Sequence, residues 1–152
     1  MRCAQVGLPM TEPMVEVEVW VRHKGATICV LREQAGGVDA LEDWLEGFAD
    51  YRDESFKASL FAICERLDGV AGRKIPYLAE LKDFKSPSLF EIKRGSFRLL
   101  CHYKGGRIVV VHWDRKRGSK LPPQVLRTAH RRARMVEQAS TDRRLKQIEF
   151  EN

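Results

Sequence analysis

The chain has 152 residues, 43% hydrophobic and 32% charged, enough to bury the core of one ordinary domain and too apolar for a disordered chain. No apolar run approaches the ~20 residues of a membrane helix. Residues 1–13 lack the apolar core of about 7–15 residues that marks a signal peptide, so the expectation is a cytoplasmic protein. The net charge of +6 is unevenly split. Residues 1–92 carry 11 Lys and Arg against 16 Asp and Glu, a net of −5; residues 93–152 carry 16 against 5, a net of +11. A basic half points to a polyanion partner, nucleic acid first and an acidic protein second.

Residues 1–13, with Pro9 and Pro13, show no periodicity and read as a mobile leader. From Met14 to Arg22 the chain alternates, with Val15, Val17, Val19 and Val21 on one face and Glu16, Glu18, Trp20 and Arg22 on the other: a half-buried strand. His23-Lys24-Gly25 turns it into a second strand over 26–33, which predicts an opening hairpin. Val38, Leu41, Trp44, Leu45, Phe48 and Tyr51 then recur at helical spacing with an acidic opposite face, predicting a helix over 38–50. Asp53 is a candidate N-cap for a second helix striped by Phe56, Leu60, Ile63, Cys64 and Leu67 and ending near Gly69. Residues 72–87 read as a connector.

Three strands follow: 89–94, 97–104 and 107–115, the last two joined by the hairpin signal Gly105-Gly106. A basic run, Arg115-Lys116-Arg117 and Lys120, comes next. Pro122-Pro123 opens a final helix whose buried stripe is Leu126, Ala129, Ala133 and Val136 and which frays near Ser140. Residues 141–152 read as a tail or a short helix. The expected fold is thus α+β: a single domain over 14–140. Its antiparallel sheet, an N-terminal hairpin plus a three-strand meander, packs on a two-helix hairpin, and the last helix lies at an end or edge of the sheet. Cys3, Cys29, Cys64 and Cys101 form no Cys-x-x-Cys pair, so they read as small buried hydrophobes and neither a metal nor a cofactor is expected.

Several short stretches, in this order, resemble the RelE/ParE toxin superfamily, and most closely its HigB-like, phage-derived branch. They are Glu91-Ile92-Lys93, Phe97-Arg98-Leu99, His112-Trp113-Asp114, Arg115-Lys116-Arg117 and Lys120-Leu121-Pro122, followed by an Ala- and Arg-rich helix. The resemblance covers about residues 72–138, with Lys93 where that branch usually has Arg and Asp114 where it tends to an aromatic. It implies a RelE-like, microbial-ribonuclease-like fold and a type II toxin–antitoxin protein. The implied activity is messenger-RNA endonuclease (an mRNA interferase), usually acting on the ribosome. The implied partner is an antitoxin, of helix-turn-helix type, and no membrane is involved. The alternative within the superfamily is a non-catalytic relative, either a gyrase-inhibiting ParE-like toxin or a phage accessory protein.

Metal-free RNA cleavage needs a base for the 2′-OH, cations for the phosphorane and an acid for the leaving 5′-oxygen. Strand parity puts Glu91 and Lys93 on one side of their strand. It puts Arg98, Leu100, His102 and Lys104 on one side of the next, expected to be the open face, with Phe97, Leu99, Cys101 and Tyr103 in the core. Arg98 leads the catalytic candidates, because its planar fork suits a phosphate; its competing role is a salt bridge to Glu91. Lys93, His112, Arg115 and Lys116 complete the catalytic set, and His102, Lys104, Arg117, Lys120 and Arg131 the RNA-binding set.

Overall fold

The computed structural model describes residues 13–23, 26–32, 54–67, 78–81, 83–95, 97–115 and 120–149. The leader 1–12, the acidic helix expected over 38–50, the Asp53 cap, Lys116 and Arg117 lie outside the described residues, so the expected helical hairpin is represented by its second member alone.

In chain order the elements are β1 (Val15–His23), β2 (Ala26–Arg32), α1 (Glu54–Leu67), β3 (Leu78–Leu81), β4 (Leu89–Arg94), β5 (Phe97–Lys104), β6 (Arg107–Arg115), α2 (Pro123–Thr141) and β7 (Leu145–Glu149). The class is α+β. The seven strands form one sheet in the order β3-β4-β5-β6-β2-β1-β7. No helix among the described residues is long and apolar enough to cross a membrane.

The hairpin β1–β2 and the meander β4–β5–β6 form as expected, both antiparallel. The sheet as a whole does not stay antiparallel. β2 joins the meander by parallel pairing, with Cys29 opposite Val109. β7 adds to the outer side of β1, also in parallel, with Val17 opposite Gln147. Parallel neighbours need a long crossover. The segment carrying α1 separates the hairpin from the meander, and α2 separates the meander from β7.

Residues 145–149 are therefore a strand and not a tail or a helix. Leu145 and Ile148 are half-buried, which gives this stretch enough apolar contact to hold an edge position. The chain reverses out of α2 through Arg143 at φ 60, where the Arg144 N–H donates to the Ala139 carbonyl at 2.7 Å. Arg144 also donates to the Pro13 carbonyl, so the turn after α2 grips the start of β1.

Two bulges change which side chains share a face. In β1 the register shifts between Val19, opposite Cys29, and Val21, opposite Ile28. Neighbours in β2 point to opposite faces, so Val21 leaves the face of Val15, Val17 and Val19, contrary to simple alternation. In β6 the shift falls at Val111, and His112 pairs with Leu100 while Val110 pairs with Cys101. That slip sends His112 to the face of Leu100 and His102.

The central strands are buried on both faces: residues 26–31 and 108–111 are buried without interruption. α1 lies against β1 and β2, its Leu60, Ile63 and Cys64 buried and its Phe61 ring edge-on to His23. α2 does not sit at an end or edge of the sheet as expected. It crosses the face of β4, β5 and β6. Ala129, Ala133, Val136 and Ala139 are all fully buried there, and three alanines on one stripe let the helix backbone approach the strands closely. Burial pushes the thiols of Cys64 up to about 11 and of Cys101 higher still, so these cysteines act as inert core residues.

Candidate functional site

The face of the sheet under α2 carries the polar side chains that the parity argument singled out, and α2 divides them. Three rows cross β4, β5 and β6. The outermost is Lys93–Arg98–Asp114, the next Glu91–Leu100–His112, and then comes His102 opposite Val109.

The inner residues are covered. Leu100 and His102 belong to the expected open face, yet they are 0% and 1% exposed because the C-terminal half of α2 lies over them. His102 Nε2 donates to the Glu137 carboxylate at 2.8 Å, and Lys104 Nζ donates to its other oxygen at 2.9 Å. His102 Nδ1 is buried with no hydrogen-bond partner among the described residues. Burial pulls the His102 pKa below its ordinary value, against the opposing pull of Glu137. The hydrogen bond from His102, then that from Lys104, holds the Glu137 carboxyl below its usual range. His102 is thus a neutral strut between β5 and α2. At 1% exposed it lies beneath α2 and not on the open face expected for it; Lys104 stands at the rim of the same strut.

His112 is held similarly. Arg132 of α2 donates through Nη1 to the Val111 carbonyl at 2.9 Å and meets His112 Nδ1 at 3.2 Å. A guanidinium only donates, so Nδ1 accepts and the ring proton sits on Nε2. This half-buried imidazole is tied to α2 and does not project freely from the strand end.

The outer residues are arranged differently. Glu91 is 8% exposed, a carboxylate directly across from the buried Leu100. Arg98 Nε lies 3.9 Å from its Oε2, and Lys93 Nζ lies 3.9 Å from its Oε1. Arg98 Nη1 also donates to the Gly95 carbonyl at 2.7 Å, bracing the β4–β5 turn, where Gly95 takes a φ of 57. The salt bridge weighed against a ligand role for Arg98 therefore exists. Arg98 is 12% exposed at its side chain, whereas Lys93 is 53% exposed. Arg115 stands at the exposed end of β6, opposite Phe97 and so on the other face from the Lys93–Arg98–Asp114 row; its backbone N–H donates to the Asp114 carboxylate.

Glu91 opens into a cleft of about 480 Å³ between Leu81, Asp83 and Phe84 on one side and the start of α2 on the other. Leu81, Phe84, Leu121 and Leu126 supply apolar walls, Lys120 and Arg127 the cations, and Asp83 a second carboxylate. Pro122 positions this helix start: its carbonyl accepts from Val125 and Leu126, and Pro123 at the first turn needs no N–H partner. Arg131, on the outer face of α2, lines a neighbouring hollow of about 330 Å³ with Arg127 and Arg134.

The eight candidates among the described residues thus fall into separate places. Lys93, Arg98 and Arg115 mark the open sheet end, Lys120 the cleft wall and Arg131 the helix surface; His102, His112 and Lys104 belong to the contact with α2. Sequence reasoning missed two residues. Glu91 enters the sequence reading as a motif residue, as sharing a side with Lys93 and as a partner for Arg98, but not as a site candidate. Arg127 is one helical turn before Arg131, and that spacing could have found it. Comparison with protein-family models, curated proteins and solved structures finds no match to this chain.

Proposed function

We propose that this chain cleaves single-stranded RNA by metal-free attack of the 2′-OH, as a toxin-type endoribonuclease of the kind its sequence resembles. The observation that carries this reading is Glu91: a carboxylate nine-tenths buried, facing two cations at 3.9 Å, and opening into a cleft with Lys120 and Arg127 on its wall. Such a carboxylate suits a general base, because water is largely excluded from it while substrate can enter. In the proposed step Glu91 takes the 2′-OH proton and the 2′-oxygen bonds to phosphorus. The P–O5′ bond breaks, and Lys93 gives the departing 5′-oxygen a proton. Lys120 and Arg127 offset the added negative charge, and Arg98, 3.9 Å away, orients Glu91. The products are a 2′,3′-cyclic phosphate end and a 5′-hydroxyl. In the cell, messenger RNA presented by the ribosome would be the substrate, and a helix-turn-helix antitoxin the inhibitor.

One observation favours the second reading, a non-catalytic protein of the gyrase-inhibiting or phage-accessory kind: both strand histidines are committed to α2, leaving the acid step to lysine. Incubating the pure protein with single-stranded RNA in EDTA separates the two. The first reading expects cyclic-phosphate ends that accumulate with time; intact RNA, with and without ribosomes, overturns it.

A further inference from the structure

The cleft at Glu91 does not stand alone. Phe84 and Arg127 line both it and the neighbouring hollow, so the two form one groove along the outer side of α2. The second hollow has a wall of one charge. Arg127, Arg131 and Arg134 lie at i, i+4 and i+7, on one face of the helix, about 6 Å and then about 4.5 Å apart along its axis. All three are exposed, and none makes a hydrogen bond or ion pair with a described residue. Among the described residues nothing takes up their donors, which face outward toward a ligand. This contrasts with Arg132 on the inner side of the same helix, whose Nη1 donates to Val111.

The floor of the hollow is aromatic. The Phe84 ring packs against His130 at 5.1 Å between centroids, inclined by 49°. His130 is itself fixed by a contact from Nε2 to the Pro87 carbonyl at 3.1 Å. A half-buried ring held in place beside a row of unused guanidinium groups combines the two things a nucleic-acid strand presents: a base to stack and phosphates to neutralise. An acidic protein segment would use the arginines and leave the ring without a stacking partner. A duplex keeps its bases paired and could not lay one on Phe84.

We infer that this groove is a binding track for single-stranded nucleic acid: Arg131 and Arg134 hold successive phosphates, and Phe84 supports a base next to the one at Glu91. The inference extends the RNA-cleaving reading of the Glu91 cleft to the flanking strand, and the strand's binding is measured apart from its cleavage. The probe is a fluorescently labelled oligodeoxythymidine of twelve nucleotides, which lacks the 2′-OH and cannot be cut by this chemistry.

Anisotropy titrations over a range of salt concentrations give the number of phosphates held. The double variant R131Q/R134Q is expected to lower the log–log salt slope by about 1.4, two contacts' worth for a single strand, and to weaken binding about tenfold at 0.1 M salt. F84L keeps apolar volume but loses the flat face; it is expected to weaken binding roughly fivefold with the slope unchanged. Circular dichroism confirms that each variant is folded. An unchanged slope in the folded double variant overturns the inference. So does polyglutamate that binds the groove as tightly as the oligonucleotide, which would make it a protein-docking surface. If the oligonucleotide binds as expected while RNA stays uncut, the groove stands and the catalytic reading falls.

Discussion

Two carboxylate-centred clusters share one face of the sheet. Glu137 lies over β5 with His102 and Lys104; Glu91 lies on β4 with Arg98 and Lys93. Each carboxylate meets two basic side chains. They differ in closeness and in cover. Around Glu137 the contacts are 2.8 and 2.9 Å and the helix itself supplies the acid, so the cluster joins two elements. Around Glu91 the contacts are 3.9 Å, all three residues come from one antiparallel pair, and the far side is a cleft. Strong pairing consumes the hydrogen-bonding capacity of an acid. Looser pairing beside a cleft leaves it for a substrate. On this comparison the Glu137 cluster ties α2 to the sheet, and the Glu91 cluster is the one that faces a cleft.

The largest expected effect tests that division directly. E91Q should lower RNA cleavage by about 10²–10⁴-fold, the usual worth of a general base, and leave the fold intact. E137Q should leave the single-turnover cleavage rate within about twofold of the parent. If both variants lose cleavage equally, the two clusters do not divide the labour this way.

Next in size is Arg98. R98A strips Glu91 of its more deeply buried partner and frees the Gly95 carbonyl. It should cost about 1–3 kcal/mol in urea unfolding as well as cleavage. R98K should recover part of each, since an ammonium restores the charge and not the fork that spans Glu91 and the turn. A stable R98A protein that cuts normally would detach Arg98 from the site.

The third test uses acid. His102 has a folded-state pKa below its unfolded one, so the unfolded chain binds the extra proton first. Stability is fully present above the ordinary histidine pKa near 6.5 and is lost as pH falls from there through the lowered value. Glu137, also lowered, gives a second loss below its ordinary 4.5. H102Q keeps a donor for Glu137 and cannot titrate. Urea midpoints measured from pH 7 to 5 should slope in the parent and flatten in H102Q. Equal slopes would show that His102 is not the titrating group.

The smallest effect is K104Q. Its ammonium is exposed, so loss of the pair with Glu137 should change stability by about 0–1 kcal/mol and cleavage not at all.

Much of the fold was legible because local patterns dictate local elements. The valine alternation in β1 as far as Val19, the apolar stripe of α1, the Gly105-Gly106 hairpin and the proline start of α2 each state a period or a dihedral demand that the chain then obeys. The Leu99 and Cys101 side of β5 is core as its parity requires. Register and coverage were not legible. A bulge at Val19/Val21 or at Val111 leaves no mark that simple alternation can detect, yet each reverses the face of the residues beyond it. Residues 145–149 carry too few apolar side chains to announce a strand; pairing with β1 makes them one.

What the sequence by itself determined was the list of elements, the basic half and the side of β5 on which Arg98, His102 and Lys104 lie. Only the tertiary structure decided which of those residues are reachable. Parity names a face, and a helix packed from about twenty residues further along chooses how much of that face remains open. Because Ala129, Ala133, Val136 and Ala139 draw α2 down over β5 and β6, His102 became a strut. Because α2 begins at Pro123, beside the edge of β4, Glu91 kept its opening.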